Sequence, residues 1–584
     1  MVVIRDIRFL PALCAGLYLL GAASTDVLAQ SASQITPPSF RPSPIRSGGS
    51  VVFSGQPGLD TPAGADRLSV TLSGLSVEGD AADRAGAIAA LRSRLSGKKI
   101  LASEIFAAVR DLEAAYARAG FVLVRVVLPA QTLKDGGSLK VAVIDGSIER
   151  VEYKTVPEQV RSRIAAVVEP LVGRPGLTLA EIERRLLIAG DTPGVALRSA
   201  LQRGKTPGTT ILVLEPRYRM LGSFFGFDNT LSGQLGRTAL TLGVDANSTL
   251  RQGELIYVRA AGHLGSTTNG NGGLVDEDPR MRTLAAGVVV PLGIDGLTFN
   301  LEGAKSRTTP LGTPDLPGLQ SYSTFDRVSA RLRYPWIRSR ALNASSEVSF
   351  DAENALQGVL VNQLHAPIAK DRLRVLRLSS DAAYNDADAI GYVSGRATFS
   401  FGLPAFGARS GSAALLYPLS RASSSPDFQK LEIAASWGKR VHEHVDMALY
   451  ARAQTSFGQA LPQAEQIGFA SFQELSTFNA GALGGDGGWV VRGELSSPWD
   501  VRFADMQWRL SPYVFAGTAE LYLNKPTVVE QATTRASSLG LGLRVLTAMD
   551  AFSQASLTIE YGRAYRDDGG PDANRFTLVG SVRF

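Results

Sequence analysis

The sequence predicts an α+β amino-terminal region of two similar units, followed by a transmembrane antiparallel β-barrel of about 16 strands. Three observations predict it. Residues 67–216 carry a βααββ pattern twice in tandem, each copy roughly 75 residues long. Residues 217–584 lose helical periodicity and alternate apolar with polar residues between Gly/Asn/Asp/Ser/Pro turns. The final segment sets Phe576, Leu578, Gly580, Val582 and Phe584 on one face and Thr577, Val579, Ser581 and Arg583 on the other. An apolar face toward lipid and a mostly polar face toward a lumen is the alternation of an outer-membrane strand. Lipid leaves no water to satisfy an open strand edge, so such strands must close.

Composition agrees. Of 584 residues, 20% are charged and 60 are glycine, with a mean hydropathy of +0.04, which is too apolar for a disordered chain. Beyond the amino terminus no apolar run reaches the roughly 18–20 residues a spanning helix needs. The net charge of +6 is mildly basic. No Arg/Lys run interleaved with aromatics accompanies it, so no nucleic-acid partner is expected. The one cysteine, Cys14, lies in the expected leader, leaving a mature chain without disulfides or thiolate metal sites.

Residues 1–29 read as a signal peptide: Arg5 and Arg8, an apolar stretch Phe9–Ala23, then Val27-Leu28-Ala29 for a peptidase. Residues 30–66 hold Pro37, Pro38, Pro42, Pro44, Pro57 and Pro62, and are expected to be a flexible linker without a stable helix.

In residues 67–146, Leu68–Val77 alternates as a strand. After a first helical segment, Ile105, Val109, Leu112 and Tyr116 mark one face of a second helix. Gly120 is placed to stop it. Strand-like runs Phe121–Leu128 and Ser138–Ile144 follow. Residues 147–216 repeat the order. Ile148–Tyr153 is a strand, and a helix begins at Pro157 with Val160, Ile164 and Leu171 on one face. Thr178 and Glu181 form a capping box for the next helix. Gly190-Asp191-Thr192-Pro193-Gly194 breaks that helix before strands Val195–Leu201 and Thr209–Leu214. Residues 217–584 supply the barrel, with Gly222–Phe227, Arg237–Val244, Gly253–Ala260, Thr283–Val290, Leu297–Glu302, Arg327–Tyr334, Ser345–Phe350 and Leu431–Trp437 among its segments.

Gly484–Leu495 concentrates glycines, an aromatic and Arg492 in twelve residues. It lacks the lysine of a phosphate-binding loop and opens no helix. A glycine-rich loop folded into the lumen is expected instead, with Arg492 pairing a carboxylate through its planar fork. His442 and His444 share a strand face, but no third ligand is evident for a metal. No Ser-His-Asp or Cys-His set, cofactor motif or catalytic residue emerges, so no enzyme and no cofactor are expected.

Several fragments, in order, resemble the two-partner-secretion transporters of the TpsB group typified by ShlB, FhaC and HecB. In the first unit these are Tyr116-x-x-x-Gly120-Phe121, Leu128-Pro129-x-Gln131, Asp135-Gly136 and Ile144-Asp145-Gly146. In the second they are Asp191, Pro193 and Gly194. In the barrel they are Asp228-Asn229, Gly236-Arg237, Pro291-Leu292-Gly293, Tyr334-Pro335-Trp336-x-Arg338 and Val491-Arg492-Gly493.

The resemblance implies two POTRA domains, residues 67–146 and 147–216, ahead of a barrel over 217–584. It implies that Val491-Arg492-Gly493 sits at the tip of the sixth extracellular loop. The family's loop arginine meets an aspartate in an F-x-D strand motif. Here that position is Gly517 in Phe515-Ala516-Gly517, leaving Glu520 or Glu494 as the expected partner. The family also opens with a plug helix, from which the proline-rich residues 30–66 depart.

The function implied is a pore in the outer membrane of a Gram-negative bacterium. Its periplasmic POTRA domains would bind an unfolded partner exoprotein by strand addition and pass it outward. Lipid, the barrel-assembly machinery acting on the Phe576–Phe584 strand, and a monomeric state complete the expectation. An insertase for other barrels and a passive porin with attached modules are the alternatives.

Overall fold

The computed structural model describes residues 31–41, 51–53, 61–79, 85–206, 208–263, 272–312, 319–361, 364–386, 390–410, 417–421, 423–503, 506–548, 550–570 and 572–584. The expected signal peptide, residues 1–29, lies outside them.

The first unit packs helices Ala85–Leu95 and Ala102–Arg118 on a four-stranded sheet. Its strands are β2 (Ser69–Glu78), β3 (Lys99–Leu101), β4 (Arg125–Val127) and β5 (Gly137–Ile144), in the order β3-β2-β5-β4. Ile105, Val109, Leu112 and Tyr116 are all buried against that sheet, as one helical face should be. Gly120 takes φ +94° just past the helix end, where a side chain would be strained. Only Arg125–Val127 of the run Phe121–Leu128 pairs as a strand, because its first residues turn back under the helix, with the Phe121 amide donating to the Tyr116 carbonyl.

The second unit has helices Glu158–Val168 and Leu179–Gly190. Its strands are β6 (Ser147–Glu152), β7 (Val195–Arg203) and β8 (Thr209–Tyr218). The Thr178 hydroxyl accepts from the Glu181 amide at 3.3 Å, and the Thr178 amide donates to Glu181 Oε2 at 3.0 Å, closing the capping box. Both units share one topology. The last strand is central, the first strand lies parallel beside it, and the penultimate strand is antiparallel on its other side. A further strand, β1 (Val51–Phe53), adds in parallel to the free edge of β7, with Val52 in register with Ala200.

Residues 221–583 form the closed antiparallel barrel of sixteen strands. Eleven run as consecutive hairpins: β9 (Leu221–Asp228), β10 (Ala239–Asn247), β11 (Leu255–Gly262), β12 (Met281–Leu292), β13 (Leu297–Thr308), β14 (Leu319–Arg338), β15 (Leu342–Val361), β16 (Leu364–Asn385), β17 (Gly391–Gly402), β18 (Gln429–His442) and β19 (Val445–Thr455). The connection after β19 pairs two short strands, β20 (Ile467–Gly468) and β21 (Gly484–Gly485), and the twelfth barrel strand is interrupted, as β22 (Gly487–Ser496) and β23 (Trp499–Phe503). Both pieces pair with β24 (Met506–Tyr522). β25 (Thr533–Ala548), β26 (Gln554–Arg566) and β27 (Ala573–Arg583) complete the ring.

The seam between β27 and β9 has five register pairs. It is extended by Asn229, whose side-chain amide donates to the Phe576 carbonyl and accepts from the Leu578 amide, and by reciprocal backbone bonds between Phe584 and Ser223. Phe576 and Phe584 are exposed on the outer face, while Thr577 is buried toward the lumen. Outward residues such as Leu242, Val258, Leu284, Val328, Val514 and Leu541 are apolar and exposed, whereas Glu302, Arg331, Glu353 and Arg492 are buried inside. β14, β15 and β16 run 20, 20 and 22 residues. That is about twice what a tilted strand needs to span a bilayer, so they project well beyond it. Among the described residues no helix is long and apolar enough to cross a membrane.

For residues 31–41 the expectation of a flexible linker over 30–66 is corrected. Residues 31–41 lie inside the barrel. Ala32–Ile35 forms one helical turn capped by Ser31 and Gln34, and Pro37 and Pro38 end it. The extended remainder has no strand partner, so its backbone groups are met by side chains of the wall. Proline bars a longer helix but permits an extended path through a polar lumen, so a Pro-rich composition does not distinguish a linker from a lumen segment.

Candidate functional site in the barrel lumen

Two chain segments occupy the lumen. The first is residues 31–41. The Ala32 amide donates to Ser323 Oγ at 3.2 Å and the Phe40 amide to Glu302 Oε2 at 2.8 Å. Arg327 donates to the Pro37 carbonyl at 3.1 Å, and Arg331 to the Phe40 carbonyl at 2.8 Å. Arg41 pairs with Glu347 at 2.9 Å. Most of these bonds address backbone, so the wall grips an extended chain largely through groups that any polypeptide has.

The second segment is the loop 456–486 between β19 and β22. Ile467, Phe469, Leu475 and Phe478 form an apolar cluster against Val490, Ala519, Leu521, Ala536 and Ala564 of the wall. Polar contacts ring it. Arg377 holds Glu465 at 2.6 and 3.0 Å, Arg452 holds Glu474 at 2.6 Å, and Thr477 meets Ser538 at 2.7 Å. Ala32 of the amino-terminal segment and Ala464 of the loop pack in one cluster with Phe325 and Ala355, so the two fillers abut.

Arg492 lies where these contacts concentrate, in a place the sequence reading did not give it. Val491, Arg492 and Gly493 are mid-strand in β22, paired with β19 and β24, and form part of the wall, not a loop tip. The side chain of Arg492 points inward and is 2% exposed. It donates to Ser476 Oγ at 2.9 Å and to the Phe472 and Glu474 carbonyls at 3.3 Å, all on the loop. Its carboxylate partners are Glu494 at 2.9 Å and Glu560 on β26 at 2.7 Å. The wall therefore supplies both the cation and its carboxylates, and the loop docks on the guanidinium through a hydroxyl and two carbonyls, instead of supplying the arginine as expected. The spacing V-R-G matched a motif; period-2 alternation across Val491-Arg492-Gly493 was the signal that could have placed it in a strand.

Of the two expected partners, Glu494 contacts Arg492 and Glu520 does not. Glu520 pairs with Arg535 at 2.8 Å. Glu560, on β26, was missed because nothing local in sequence ties it to residue 492. Gly517 is the register partner of Arg492. A Cβ there would sit 3.1 Å from Leu475 Cδ2 and 3.4 Å from the Glu474 carbonyl. The glycine leaves room for the loop to lie on β24, and the carboxylate comes from further round the wall. The Phe515 ring lies 4.1 Å from the guanidinium, a cation–π contact.

The glycine-rich stretch has its own centre at Asp486, which is fully buried. Its carboxylate accepts from Arg421 at 2.6 and 2.7 Å, from the Leu461 amide at 3.0 Å, from Gln466 at 3.2 Å and from the Asn524 amide at 2.7 Å. One carboxylate thus ties three loops together at the end of the barrel away from the two α+β units. Gly485, Gly487 and Gly488 flank it. At Gly488 a Cβ would meet the Glu520 carbonyl at 2.3 Å, so the tight approach needs glycine.

At the other end the second unit is fastened to the barrel. Arg338 grips Asp191 with two bonds of 2.6 and 2.8 Å. Arg184 donates to the Pro335 carbonyl at 2.9 Å and Arg185 to the Ile294 carbonyl at 3.1 Å. Asp191 and Arg338 were singled out separately in the sequence, and the fold joins them. Gly194, at φ +75°, would put a Cβ 2.3 Å from the Arg219 carbonyl, and Pro193 lines the cavity beside it.

In the first unit the singled-out residues serve the fold. Gln131 exchanges two bonds with Lys140, at 2.7 and 2.8 Å, like a strand residue. Gly146 would clash with the Leu123 carbonyl at 1.9 Å, Phe121 packs on the core, and the Pro129 carbonyl accepts from Gln131 at 3.3 Å. His444 stacks on Trp499 at 4.0 Å. Among the described residues no group of three or more His, Cys, Asp and Glu could hold a metal ion.

Outside the membrane, burial and the neighbouring Glu169 push the Tyr153 hydroxyl up to about 12. The backbone bond from Thr178 holds the Glu181 carboxyl below its usual range despite partial burial.

The family model for haemolysin secretion/activation protein ShlB/FhaC/HecB matches residues 208–545, and the ShlB-type POTRA domain matches residues 70–146. Among solved structures, CdiB from Escherichia coli aligns with a TM-score of 0.65 and 18% identity, covering 100% of both chains. CdiB from Acinetobacter baumannii aligns with a TM-score of 0.56 and 14% identity, again covering 100% of both. These two likenesses concern the fold. No curated protein matches the chain.

Proposed function

The chain belongs to the haemolysin secretion/activation family ShlB/FhaC/HecB, and from that premise we propose that it secretes one partner exoprotein across the outer membrane of a Gram-negative bacterium. Residues 1–29 are its signal peptide. Residues 147–216 are a second POTRA domain beside the first at 70–146, and both face the periplasm. The client is bound there unfolded, by strand addition to a sheet edge, and is passed through the lumen. The strand ending in Phe576, Leu578, Val582 and Phe584 is read by the assembly machinery, after which the barrel stands in lipid as a monomer.

The observation that carries this reading is the paired occupancy of the lumen. Residues 31–41 and 456–486 fill it, and each is held mainly by side-chain bonds that a competing chain can replace. A passive porin has no use for such filling, and nothing in the lumen favours an insertase. Deleting the gene should leave one long exoprotein trapped inside the outer membrane, with other barrels assembling normally. Unchanged secretion of every exoprotein would sink the proposal, and a broad loss of outer-membrane proteins would transfer it to the insertase class.

A further inference from the structure

The formal charge of +6 on this chain is not spread evenly. A cavity of about 1600 Å³ lies between the second α+β unit and the near end of the barrel. Twelve Arg and Lys residues line it against six Asp and Glu, a surplus of six positive charges. That surplus equals the charge of the entire chain, so outside the cavity acids and bases cancel. We propose that this vestibule is an electrostatic receptor for acidic stretches of extended polypeptide, and that it selects which chains enter the lumen. The inference rests on the transporter reading and specifies the class of client.

Three observations support it. The cavity exceeds the roughly 300–1,000 Å³ of small-molecule sites, so a polymer fits it better than a metabolite. Its inner wall already holds extended chain. Phe40 and Arg41 line the cavity, and the Ser39 and Phe40 carbonyls accept from Arg331. Arginine thereby binds backbone without regard to sequence, which leaves net charge as the discriminating term.

The cations also fall into two groups. Some are structural, such as Arg338 on Asp191 and Arg333 on Asp381 at 2.8 Å. Others stand at the rim. The Arg440 side chain is 43% exposed on Asp446 at 2.9 Å, and the Arg583 side chain is 44% exposed with its nearest carboxylate, Asp245, at 3.6 Å. A concave, low-dielectric wall with an excess of one sign concentrates field and attracts the opposite charge over a Debye length, about 8–10 Å in physiological salt.

The test uses the full-length protein in lipid nanodiscs and two labelled unstructured peptides of about a dozen residues, one rich in glutamate and one rich in lysine. Binding is read by fluorescence anisotropy. The glutamate peptide should bind at least tenfold more tightly, and its affinity should fall as salt is raised. Arg440→Glu with Arg583→Glu should erase most of that preference while the barrel still migrates as a folded, heat-modifiable band. Equal affinity for both peptides overturns the proposal, as does a preference untouched by the double reversal. A single-stranded oligonucleotide of matched charge that binds more tightly than the glutamate peptide would assign the surface to nucleic acid and also overturn it. Secretion is scored separately. Normal secretion without acidic preference rejects the vestibule's role and leaves the transporter standing, whereas acidic preference in a chain that secretes nothing does the reverse.

Discussion

Arg492→Ala is the perturbation with the largest worked effect. The guanidinium is 2% exposed, as is Glu560, and it makes contact with Glu494, Glu560, Ser476 and two loop carbonyls. Removing one member of a buried ion pair costs about 3–5 kcal/mol because the other charge is left behind. Here Glu560 keeps a 2.6 Å bond from the Tyr513 hydroxyl, and Glu494 keeps Arg544 at 3.2 Å. The lower end, about 3 kcal/mol, is therefore expected. The loop itself loses the guanidinium's bonds to Ser476, Phe472 and Glu474; charged hydrogen bonds are worth about 1.5–3 kcal/mol, so at 1.4 kcal/mol per tenfold the population of released loop rises by roughly one to two decades.

Hydrogen exchange of the amides in residues 467–484 reads the release directly. Protection should drop by that factor, single-channel conductance should rise, and secretion should fall while the barrel still assembles. Glu560→Gln and Glu494→Gln complete double-mutant cycles, and the coupling to Glu560 should be the larger, since Glu494 is 17% exposed and shared. Unchanged loop protection in Arg492→Ala would refute the anchoring argument, and a larger coupling to Glu494 would refute the ranking of its partners.

Asp486→Ala should unfasten the three far-end loops together, admitting bulky antibiotics that the parent strain excludes; unaltered permeability counts against Asp486 as their common tie. Val52→Cys with Ala200→Cys should form a disulfide spontaneously, since registered strand residues sit about 5 Å apart and the sequence has a single native cysteine, Cys14, to be replaced by Ser in the same variant. A gel showing only free thiols would contradict the strand addition of β1 to β7. Thr178→Ala should cost about 1 kcal/mol, read as faster exchange of the first amides of Leu179–Gly190. Glu181 is held below its usual range in the fold, so its contribution is present above the unfolded-state pKa and is lost as pH falls through the lower folded value. Helix 179–190 should accordingly loosen on acidification of the native protein, and Glu181→Gln should flatten that dependence.

The legible parts of this protein were those encoded locally. The face Ile105-Val109-Leu112-Tyr116, the Thr178–Glu181 box and the alternation of residues 576–584 each need only neighbours a few positions away. Strand bounds were read short, as with Arg327–Tyr334 inside Leu319–Arg338. Lumen-facing polar residues blur the apolar signal where strands leave the membrane.

The sequence by itself determined the repeated α+β unit and the barrel, because periodicity and turn chemistry act over a few residues, and its ordered fragments carried the family resemblance. Only the tertiary structure decided what the lumen holds. Glu560 reaches Arg492 from 68 positions away, Arg338 reaches Asp191 across 147, and Phe40 meets Glu302 across 262. Closing the strands into a ring brings those side chains together, and no local pattern records which of many carboxylates a buried arginine will face.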